Sequence, residues 1–413
     1  MNILMANWTW YPSGGDWTYV DSVCDIYRSN GDAIIPFSME NTKNYPTQYS
    51  DFFIDHIDYK IENKNKNVIS GLRVLGKSIY SIEAKRKLKQ LLDTVNIDIA
   101  QLNGGINNYL TPSIIPVLKK RKIPVVWRIL DYKLICPNTT FVSNNEVCEA
   151  CYKHKYYNCV LKKCKKQSFR ASLVAALESY TYFIFPFYKQ VDKFLFQSEF
   201  TRDLYVKYGF DKTKTHIIEN PYSSKDVVPQ FFGKNYILYF GRIETLKGIY
   251  TLLDAMKKLP DITLKIVGNG SEYENSINYA KRNKILNVHF TGPKWGDELV
   301  PILRDAEFVV VPSEWYEPSP YAALQSLAYG KPIIASNIGG LKDIVCHKEN
   351  GLLFQPGNVN ILCQAISELF SNKKDIERMG ICAAKTVERN YNPKRYYENT
   401  MELFHELIKA GKK

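Results

Sequence analysis

The stretch VVVPSEWYEPSPYAALQSLAYGKPIIAS, residues 309–336, says most about how this 413-residue chain folds. Its apolar run, residues 309–311, predicts a buried strand that ends at a proline. Ser319 and Pro320 predict the start of a helix, because serine is favoured at the N-cap and proline in the first turn. Gly330, followed two residues later by a proline, predicts where that helix ends. The stretch therefore indicates a strand–turn–helix unit of an α/β protein.

The turn of this unit carries a carboxylate, Glu317, next to the predicted helix start. The first amides of a helix have no partner within the helix and attract anions, phosphate above all. A carboxylate can hold sugar hydroxyls but repels phosphate. Both groups on one turn indicate a ligand that carries hydroxyls and phosphates together. The alternative is an ordinary βα turn without a ligand.

Size and composition narrow the class of protein. A chain of 413 residues exceeds one comfortable hydrophobic core, so two domains are expected. The formal net charge of +13 and the isoelectric point near 9.1 predict an anionic partner: a nucleotide, a nucleic acid or a membrane surface. The chain starts directly with a predicted strand and shows no signal peptide, and its apolar runs are too short to span a bilayer. These features predict a cytoplasmic protein.

Predicted strands and helices alternate along the chain, which favours parallel sheets covered by helices. In the first half the predicted strands lie near 2–7, 33–37, 98–102, 124–129, 193–198 and 215–219. A polar, proline-containing linker near 221–233 interrupts the alternation. A second series then has strands near 236–240, 262–267, 287–290, 307–311 and 333–335. The predicted fold class is α/β, with two Rossmann-like domains.

Two loops that follow first strands contain groups suited to phosphate. Residues 241–248, GRIETLKG, place Arg242 and Lys247 across one turn at the carboxyl end of a sheet, where open α/β folds bind ligands. A guanidinium fork and a compact ammonium together suit a diphosphate. The alternative is a pair of solvated surface cations. In the first domain, Gly14 and Gly15 let the backbone approach a ligand closely, without the GxGxxG pattern of a nicotinamide site.

Several motifs occur together and in order: GR-x4-KG (241–248), PS-x3-E-x7-Q (312–325), YGKPIIAS (329–336), NIGGLKDIV (337–345) and ENGLLF (349–354). This set closely resembles the retaining glycosyltransferases of family 4, which use nucleotide-sugar donors. The resemblance covers essentially the whole chain and is strongest over 236–356. It implies the GT-B architecture, two Rossmann-like domains that face each other across a cleft. Residues 1–222 would form the acceptor domain, 234–392 the donor domain, and 394–413 a helix that crosses back onto the first domain.

The resemblance also implies roles for individual residues. Arg242 and Lys247 would bind the donor diphosphate and Glu317 would hold hydroxyls of the donor sugar, so that these three carry catalysis without a metal, a cofactor or a protein nucleophile. Gly14 and Gly15 would close over the diphosphate from the opposite domain. The acceptor hydroxyl would attack the face of the sugar that the diphosphate leaves. The other residues expected in donor binding are Gly241, Gly292, Pro293, Lys294, Ser319, Pro320, Tyr321 and Ala322. Asn269, in a Gly-Asn-Gly turn after a predicted strand, could cradle the ligand or merely turn the chain.

Two positions depart from the family pattern. Gln325 stands where relatives commonly have a ribose-binding glutamate, and it keeps one acceptor oxygen but loses the charge that strengthens such bonds. Leu130 stands where many relatives have a histidine that contacts the donor sugar near its 6-hydroxyl. Leucine cannot bond a hydroxyl but packs against a methyl group, so we hypothesise a donor without a 6-hydroxyl, a 6-deoxyhexose or a pentose. The alternative is that Leu130 only packs and other groups hold the sugar.

Five of the nine cysteines fall in one predicted insertion, residues 134–168. In a cytosolic chain these cysteines are expected to stay reduced. A CxxC pair with two further thiols can close a tetrahedral structural zinc site, although the spacing matches no standard zinc finger. The alternative is free thiols that order the insertion, which resembles one in a subset of bacterial polysaccharide glycosyltransferases. The candidate ligands are Cys136, Cys148, Cys151, Cys159 and Cys164.

The insertion is also strongly basic, with no acidic residue between 152 and 177, and an aromatic segment at 180–188 follows it. Basic charge beside aromatic side chains suits docking on an anionic membrane leaflet, which would bring the cleft to a lipid-linked acceptor. A solvated face beside a buried helix is the alternative. Nucleic acid is a rival partner that the glycosyltransferase motifs disfavour.

The sequence therefore predicts a retaining, metal-independent glycosyltransferase of surface polysaccharide or lipopolysaccharide assembly, located in the cytoplasm and peripheral on the inner face of the cell membrane. It would move a sugar from a nucleotide-diphosphate-sugar donor to a hydroxyl of a glycan or lipid-linked acceptor. The alternative, suggested by Gln325 and Leu130, is a nucleotide-sugar-binding protein with little or no turnover.

Overall fold

The N-terminal half of the chain is built around one six-stranded sheet, in a computed structural model that describes residues 1–55, 76, 79–104 and 110–411. The strands of this half are β1 Asn2–Ala6, β2 Ala33–Phe37, β3 Ile99–Asn103, β4 Val125–Arg128, β5 Val142–Ser143, β6 Glu146–Val147, β7 Lys193–Phe196 and β8 Thr215–Ile217. The sheet order is β2-β1-β3-β4-β7-β8, and every pair in it is parallel. Strands β5 and β6 form a separate antiparallel hairpin inside the Cys-rich insertion.

The helices of this half lie between the strands along the chain. Within the described residues they are α1 Gly15–Ser29, α2 Ile82–Thr94, α3 Ile115–Lys120, α4 Tyr157–Leu161, α5 Phe169–Ile184 and α6 Glu199–Lys207. The central strands are buried along their whole length, as expected when helices cover both faces of a parallel sheet.

The C-terminal half repeats this architecture. Its strands are β9 Tyr236–Phe240, β10 Thr263–Val267, β11 Val288–Phe290, β12 Val309–Val311, β13 Ile333–Ser336 and β14 Gly351–Phe354. Its helices are α7 Ile249–Lys257, α8 Tyr273–Arg282, α9 Leu299–Arg304, α10 Tyr321–Ala328, α11 Leu341–Ile344, α12 Val359–Ser371, α13 Lys373–Asn390 and α14 Pro393–Gly411. The parallel order β11-β10-β9-β12-β13-β14 is that of a Rossmann sheet. The order reverses between β9 and β12, so the loops that follow these two strands lie side by side.

The last helix, α14, returns to the N-terminal sheet and packs against α1. The hydroxyls of Tyr19 and Tyr396 are 2.6 Å apart and share a hydrogen bond. The ring centroids of Tyr27 and Phe404 are 6.2 Å apart. Both contacts lie in a core that also contains Ile3 of β1. The predicted crossover helix, 394–413, is therefore present, and its residues 412 and 413 lie outside the described residues.

The predicted fold class is confirmed: two parallel, Rossmann-like α/β units face each other in the GT-B arrangement. Each predicted strand overlaps an observed one, and only their ends differ. The sequence interpretation did not include β14 or the hairpin β5–β6. The hairpin strands are two residues long, too short to show the alternation that marks a strand.

No helix in the described part of the chain combines the length and the apolar composition needed to cross a membrane.

Candidate functional site

A cleft of about 900 Å³ lies between the two sheets and is lined by loops from both. Its size is in the usual range for ligand pockets. The loops at its C-terminal wall follow β9 and β12, the two strands at which the sheet order reverses. The predicted site residues that line it are Gly14, Gly15, Leu130, Gly241, Arg242, Lys247, Asn269, Pro293, Lys294, Glu317, Ser319, Pro320, Tyr321, Ala322 and Gln325. Gly292 is set just behind this lining, where its carbonyl accepts a hydrogen bond from the Gly268 amide at 2.9 Å.

The glycine pair at the start of α1, Gly14 and Gly15, forms part of the N-terminal wall of the cleft. Gly14 has φ +133°, a conformation that favours glycine, and it is the N-cap of α1. A Cβ atom built on Gly14 or on Gly15 would meet no other atom within 4 Å. Both residues line the cleft. The backbone here is therefore accessible to a ligand at the positively polarised end of a 15-residue helix.

The two predicted phosphate-binding cations occupy different environments. Arg242 projects from the loop after β9, where its Nη1 donates to Glu244 at 3.0 Å and about two-thirds of its side chain is exposed. Lys247 is largely buried and forms an ion pair with Glu317, a residue 70 positions later in the chain. Its ammonium also lies 5.2 Å from the centroid of the Trp315 ring. Arg242 is therefore free to reorient, whereas Lys247 is fixed.

Glu317 is held in one position by several groups. Its Oε1 accepts hydrogen bonds from Lys247 and from the Ser313 hydroxyl, the latter at 2.8 Å. Burial by itself would raise the pKa of this carboxyl, but the charge and hydrogen bond of Lys247 and the bond from Ser313 outweigh it, so the pKa is lowered. Glu317 is therefore ionised near neutral pH. Because a carboxylate can accept about four hydrogen bonds, it keeps the capacity to bind a sugar hydroxyl.

The backbone around Glu317 is supported by the paired glycines of the NIGGLKDIV motif. The Gly340 amide donates to the Glu317 carbonyl at 2.6 Å. A Cβ on Gly340 would stand 2.1 Å from the Pro318 carbonyl oxygen, and one on Gly339 would stand 2.6 Å from the Glu317 amide nitrogen. Neither position has room for a side chain. The motif therefore serves to let two loops approach closely enough to fix Glu317.

The helix after this turn starts later than predicted. Ser319 was expected to be the N-cap, but Pro320 occupies that position in an extended conformation, φ −73° and ψ 124°, and no side chain caps the helix. The prediction for Ser319 was wrong because Pro320 keeps an extended backbone and ends the turn one residue further on. Within the described residues, the buried Ser319 hydroxyl has no hydrogen-bond partner. It lines the cleft beside the start of α10, as an unused donor and acceptor for a ligand.

The N-terminal wall carries two carboxylates, Asp16 in the first turn of α1 and Asp131 after β4. Burial raises the pKa of Asp16 to about 7; Asp131 raises it too, whereas Arg242 lowers it. Burial also raises the pKa of Asp131, against the hydrogen bond and charge of Lys133. Leu130 lies next to Asp131 and, like Tyr321, packs against the core that contains Ile3 of β1. An apolar patch and a titratable pair therefore face the cations of the opposite wall.

A buried arginine joins the two walls. The Arg128 guanidinium donates to the Ile218 carbonyl at 2.5 Å and to Asn220 Oδ1 at 2.7 Å, and it lies 4.7 Å from the centroid of the Tyr19 ring. Asn220 lines the cleft, and its Nδ2 lies 3.5 Å from the Ser319 carbonyl. Arg128 thus orients a cleft amide at the point where the chain passes from one sheet to the other.

The part of the chain that forms the C-terminal wall matches a known protein family. Residues 224–386 match the family model of the glycosyl transferases group 1. This part of the chain is therefore similar to the group 1 glycosyl transferases. An uncharacterized glycosyltransferase of Methanocaldococcus jannaschii is 32% identical to the chain over 179 residues, 43% of this chain and 50% of the relative. The chain thus spans about half the length of the curated relative that it matches.

Solved structures resemble the whole chain. Sucrose-phosphate synthase of Thermosynechococcus elongatus superposes with a TM-score of 0.71 at 18% identity and covers 99% of both chains. The HepE protein of Anabaena, solved in complex with UDP, gives a TM-score of 0.68 at 15% identity over 98% of this chain and 100% of that chain. At these identities the likeness establishes the fold alone.

The Cys-rich insertion lies outside the matched domain but touches it. Glu149 of the insertion accepts a hydrogen bond from the Tyr316 hydroxyl at 2.9 Å, next to Glu317. The Tyr132 hydroxyl donates to the Tyr316 carbonyl at 3.0 Å. The insertion therefore braces the turn that positions Glu317 in the matched region, residues 224–386. Spacing in the sequence gave no indication of this contact.

The five cysteines of the insertion lie near one another. Cys136 and Cys159 are buried, and the other three are partly exposed. A hydrogen bond between the Cys159 and Cys164 side chains raises the pKa of Cys159 and lowers that of Cys164 to about 6. Among the residues that the structure describes, however, no three His, Cys, Asp or Glu side chains are arranged to hold a metal ion. Structural zinc therefore stays a prediction, which metal analysis of the purified protein can test.

Several cleft residues were not predicted from the sequence, among them Asp16, Asp131, Asn220 and Trp315. Asp16 follows the glycine pair directly, so the first turn of α1 was a signal that could have indicated it. Trp315 lies inside the quoted turn, two residues before Glu317. Asn220 offered no signal, since its place in the cleft depends on Arg128.

Proposed function

We propose that the chain is a retaining glycosyltransferase that uses a nucleotide-diphosphate-sugar donor. The observation that carries this proposal is the group of charges at the C-terminal wall. Arg242, Lys247 and the start of α10 offer positive potential beside the ionised Glu317, and Gly14 and Gly15 face them across the cleft. This arrangement suits a ligand that combines a diphosphate with hydroxyls.

The chemistry follows from where charge develops. When the bond between the sugar C1 and the diphosphate oxygen breaks, negative charge grows on the leaving diphosphate, where Arg242, Lys247 and the α10 amides stabilise it. The acceptor hydroxyl attacks C1 on the same face and forms the new bond, and its proton passes to the departing diphosphate. Glu317 takes no covalent part and orients sugar hydroxyls. The positive groups of the protein do the work that a divalent cation would do, so the proposal includes metal-independent turnover.

The donor sugar is expected to lack a 6-hydroxyl. Leu130 lines the cleft and belongs to an apolar cluster, and thus presents no hydrogen-bond partner to a sugar hydroxyl. A 6-deoxyhexose or a pentose would leave no unsatisfied hydroxyl there. For the base, UDP is the first choice for testing, because the structurally similar HepE protein was solved with UDP. The proposed acceptor is a hydroxyl of a glycan or lipid-linked sugar in surface polysaccharide or lipopolysaccharide assembly.

The proposal is tested by measuring turnover on a panel of sugars linked to UDP, GDP or deoxythymidine diphosphate. The quantity measured is the release of nucleoside diphosphate. Each donor is offered as a 6-hydroxy and a 6-deoxy sugar, with and without a glycan acceptor. The anomeric configuration of the product, measured by NMR, reports retention. Added EDTA should leave the rate unchanged. Inverted product or a rate that depends on added metal would refute the corresponding part of the proposal.

The alternative is a nucleotide-sugar-binding protein with little turnover. The substitution that favours it is Gln325, which lines the cleft in place of a charged residue. Calorimetric binding of a donor, without release of nucleoside diphosphate for any acceptor in the panel, would favour this alternative. The binding-only alternative would be excluded if the wild type turns over a donor and Gln325→Glu raises that rate only a few-fold.

A further inference from the structure

Helix α5 exposes its large apolar side chains and buries its small ones. On the helical wheel, Phe169, Leu173, Leu177 and Ile184 fall on one face, with Val174 at its edge. All five are exposed, from 39% for Leu173 to 65% for Ile184. We call these five residues the apolar stripe. A soluble surface helix has the opposite arrangement, with its apolar side against the core.

The buried face of α5 explains why the helix sits this way round. It consists of Ser172, Ala175, Ala176, Glu178, Ser179 and Tyr182. Glu178 forms a buried ion pair with Lys133 at 2.6 Å, with 3% of each side chain exposed. Turning the helix to bury the stripe would separate this pair and leave two charges without partners, which is strongly unfavourable. The exposed stripe is therefore a fixed feature of the fold.

The apolar surface continues beyond the helix at both ends. Leu161, the last residue of α4, is 73% exposed, and α4 packs against α5. At the other end, Phe183 in the last turn of α5 is 45% exposed and Phe185, just after the helix, is 59% exposed. Contiguous exposed apolar surface of this kind marks an interaction site on a soluble protein.

The charge around the stripe is positive. Exposed cations on the same segment are Lys153, Lys155, Lys162, Lys163, Lys166 and Arg170. The segment contains no acidic residue between 152 and 177. Protein interfaces are generally poor in lysine at their centre, whereas lysine and arginine beside large apolar side chains suit the headgroup region of an anionic bilayer.

We propose that the apolar stripe and its flanking cations form a docking surface for an anionic lipid bilayer. The helix would lie in the plane of the interface, with the stripe among the acyl chains and Lys162, Lys163 and Lys166 at the phosphate level. The long lysine and arginine side chains can reach the headgroups while their methylene groups stay in the apolar layer.

The docking surface lies close to the cleft. Glu178, on the buried face of α5, bonds Lys133, and the Lys133 amide donates to Asp131 Oδ1 at 2.9 Å. Asp131 lines the N-terminal wall of the cleft. Docking would therefore hold this wall near the membrane surface. That a lipid in this membrane is the acceptor rests on the proposed function, whereas the docking itself does not.

The test is sedimentation of the full chain with vesicles of phosphatidylcholine alone or of phosphatidylcholine with about one-third phosphatidylglycerol, which gives the vesicle surface a negative potential. Binding to the anionic vesicles should be strong and should weaken with added salt. Leu173→Gln/Leu177→Gln should reduce the partition coefficient at least about tenfold. Lys162→Gln/Lys163→Gln/Lys166→Gln should reduce it on the order of 100-fold, about fivefold for each charge.

The matched control is Leu286→Gln, which removes an 86% exposed leucine from the other domain and should leave vesicle binding unchanged. Circular dichroism of every variant reports folding, and the lysine variant, which changes only exposed side chains, keeps the test valid if the leucine variant unfolds. Failure of the folded wild type to bind anionic vesicles would overturn the proposal. Undiminished vesicle binding by a folded leucine variant would also overturn it. The same holds if the protein forms a dimer that the leucine substitutions abolish while vesicle binding stays unchanged. Because the readout is vesicle binding, it stands apart from any failure of transferase activity.

Discussion

The two walls of the cleft hold their polar groups in different ways. On the C-terminal wall, Lys247, Ser313 and Glu317 bond one another, and a glycine pair fixes the backbone behind them. On the N-terminal wall, Asp16 and Asp131 lie near each other with raised pKa values and face Arg242. The polar groups of the C-terminal wall satisfy one another without a ligand. The two carboxyl groups of the N-terminal wall do not, and a ligand can change their protonation. Under the proposed function, we expect the C-terminal wall to set the chemistry and the N-terminal wall to set the substrate.

Loss of the ion pair should have the largest effect. We expect Lys247→Met to lower kcat/KM about 1,000-fold, because it removes a fixed charge from the leaving diphosphate. It should also destabilise the fold by about 3 kcal/mol, since it leaves Glu317 charged and buried. Donor turnover and urea unfolding measure the two effects separately.

A double variant separates the structural role of the pair from its catalytic one. Lys247→Met/Glu317→Gln removes both charges and should recover most of the stability but none of the activity. Lys234→Met is the matched control, because it breaks an ion pair with Asp305 in the same domain whose lysine side chain is 71% exposed, and it should change neither quantity appreciably. Activity near the wild-type level in the double variant would show that the C-terminal wall is not the catalytic one.

The opposite wall is tested by filling the open space at the start of α1. Gly15→Val should raise the dissociation constant of a nucleotide sugar about 100-fold without lowering the melting temperature, because Gly15 lines the cleft and a Cβ atom there has no neighbour within 4 Å. Ser29→Val, at the exposed other end of α1, is the control for the effect of valine on the helix. Unchanged donor affinity in Gly15→Val would mean that the diphosphate does not approach α1.

The C-terminal wall was largely predictable from sequence. Prolines and a glycine in the sequence predicted its strand–turn–helix unit. Gly330 has the left-handed conformation, φ +71°, at the point where the helix was expected to end. Arg242, Lys247 and Glu317 were each placed in the cleft from their neighbours in the chain. The bond between Lys247 and Glu317 could not be predicted, because it depends on β9 and β12 being adjacent in the sheet.

The N-terminal half was predictable in outline only. The raised pKa of Asp16 depends on burial and on Asp131, which is 115 positions away in the sequence. The exposed stripe of α5 could not be recognised from apolar periodicity, since periodicity shows that a helix has two faces but not which one is buried. The buried pair of Lys133 and Glu178 decides the orientation, and it is a tertiary contact.

The substrate-setting role of the N-terminal wall is tested at Leu130. We expect Leu130→His to shift the ratio of kcat/KM values about tenfold from 6-deoxy toward 6-hydroxy donors, because an imidazole can bond the hydroxyl that leucine leaves unsatisfied. Competition between the two donors in one reaction measures this ratio directly. Leu130→Met, similar in volume and equally without a strong donor, should keep the wild-type preference. A wild-type enzyme that prefers the 6-hydroxy donor would refute the hypothesis.

The smallest effect concerns pH, and it tests whether the carboxylate pair responds to ligand. Burial holds the pKa of Asp16 near 7, so this group loses its proton as the pH rises through neutrality. The unfolded chain ionises at its ordinary value of 3.8, so the contribution of Asp16 to stability is present at low pH and is lost as the pH rises from about 4 through 7. The same ionisation places a negative charge beside the proposed diphosphate site.

Donor affinity should therefore fall about fivefold between pH 6 and pH 8 in the wild type. An intact nucleotide sugar is the right probe for calorimetry, because its diphosphate is doubly esterified and does not itself titrate in this range. Asp16→Asn keeps the shape of the neutral form, so its affinity should stay constant over the same interval and match the wild type at pH 6. If both proteins show the same slope, the titrating group lies elsewhere. If only the wild type shows it, the N-terminal wall senses the charge of the donor through Asp16, while the C-terminal wall binds that charge at every pH.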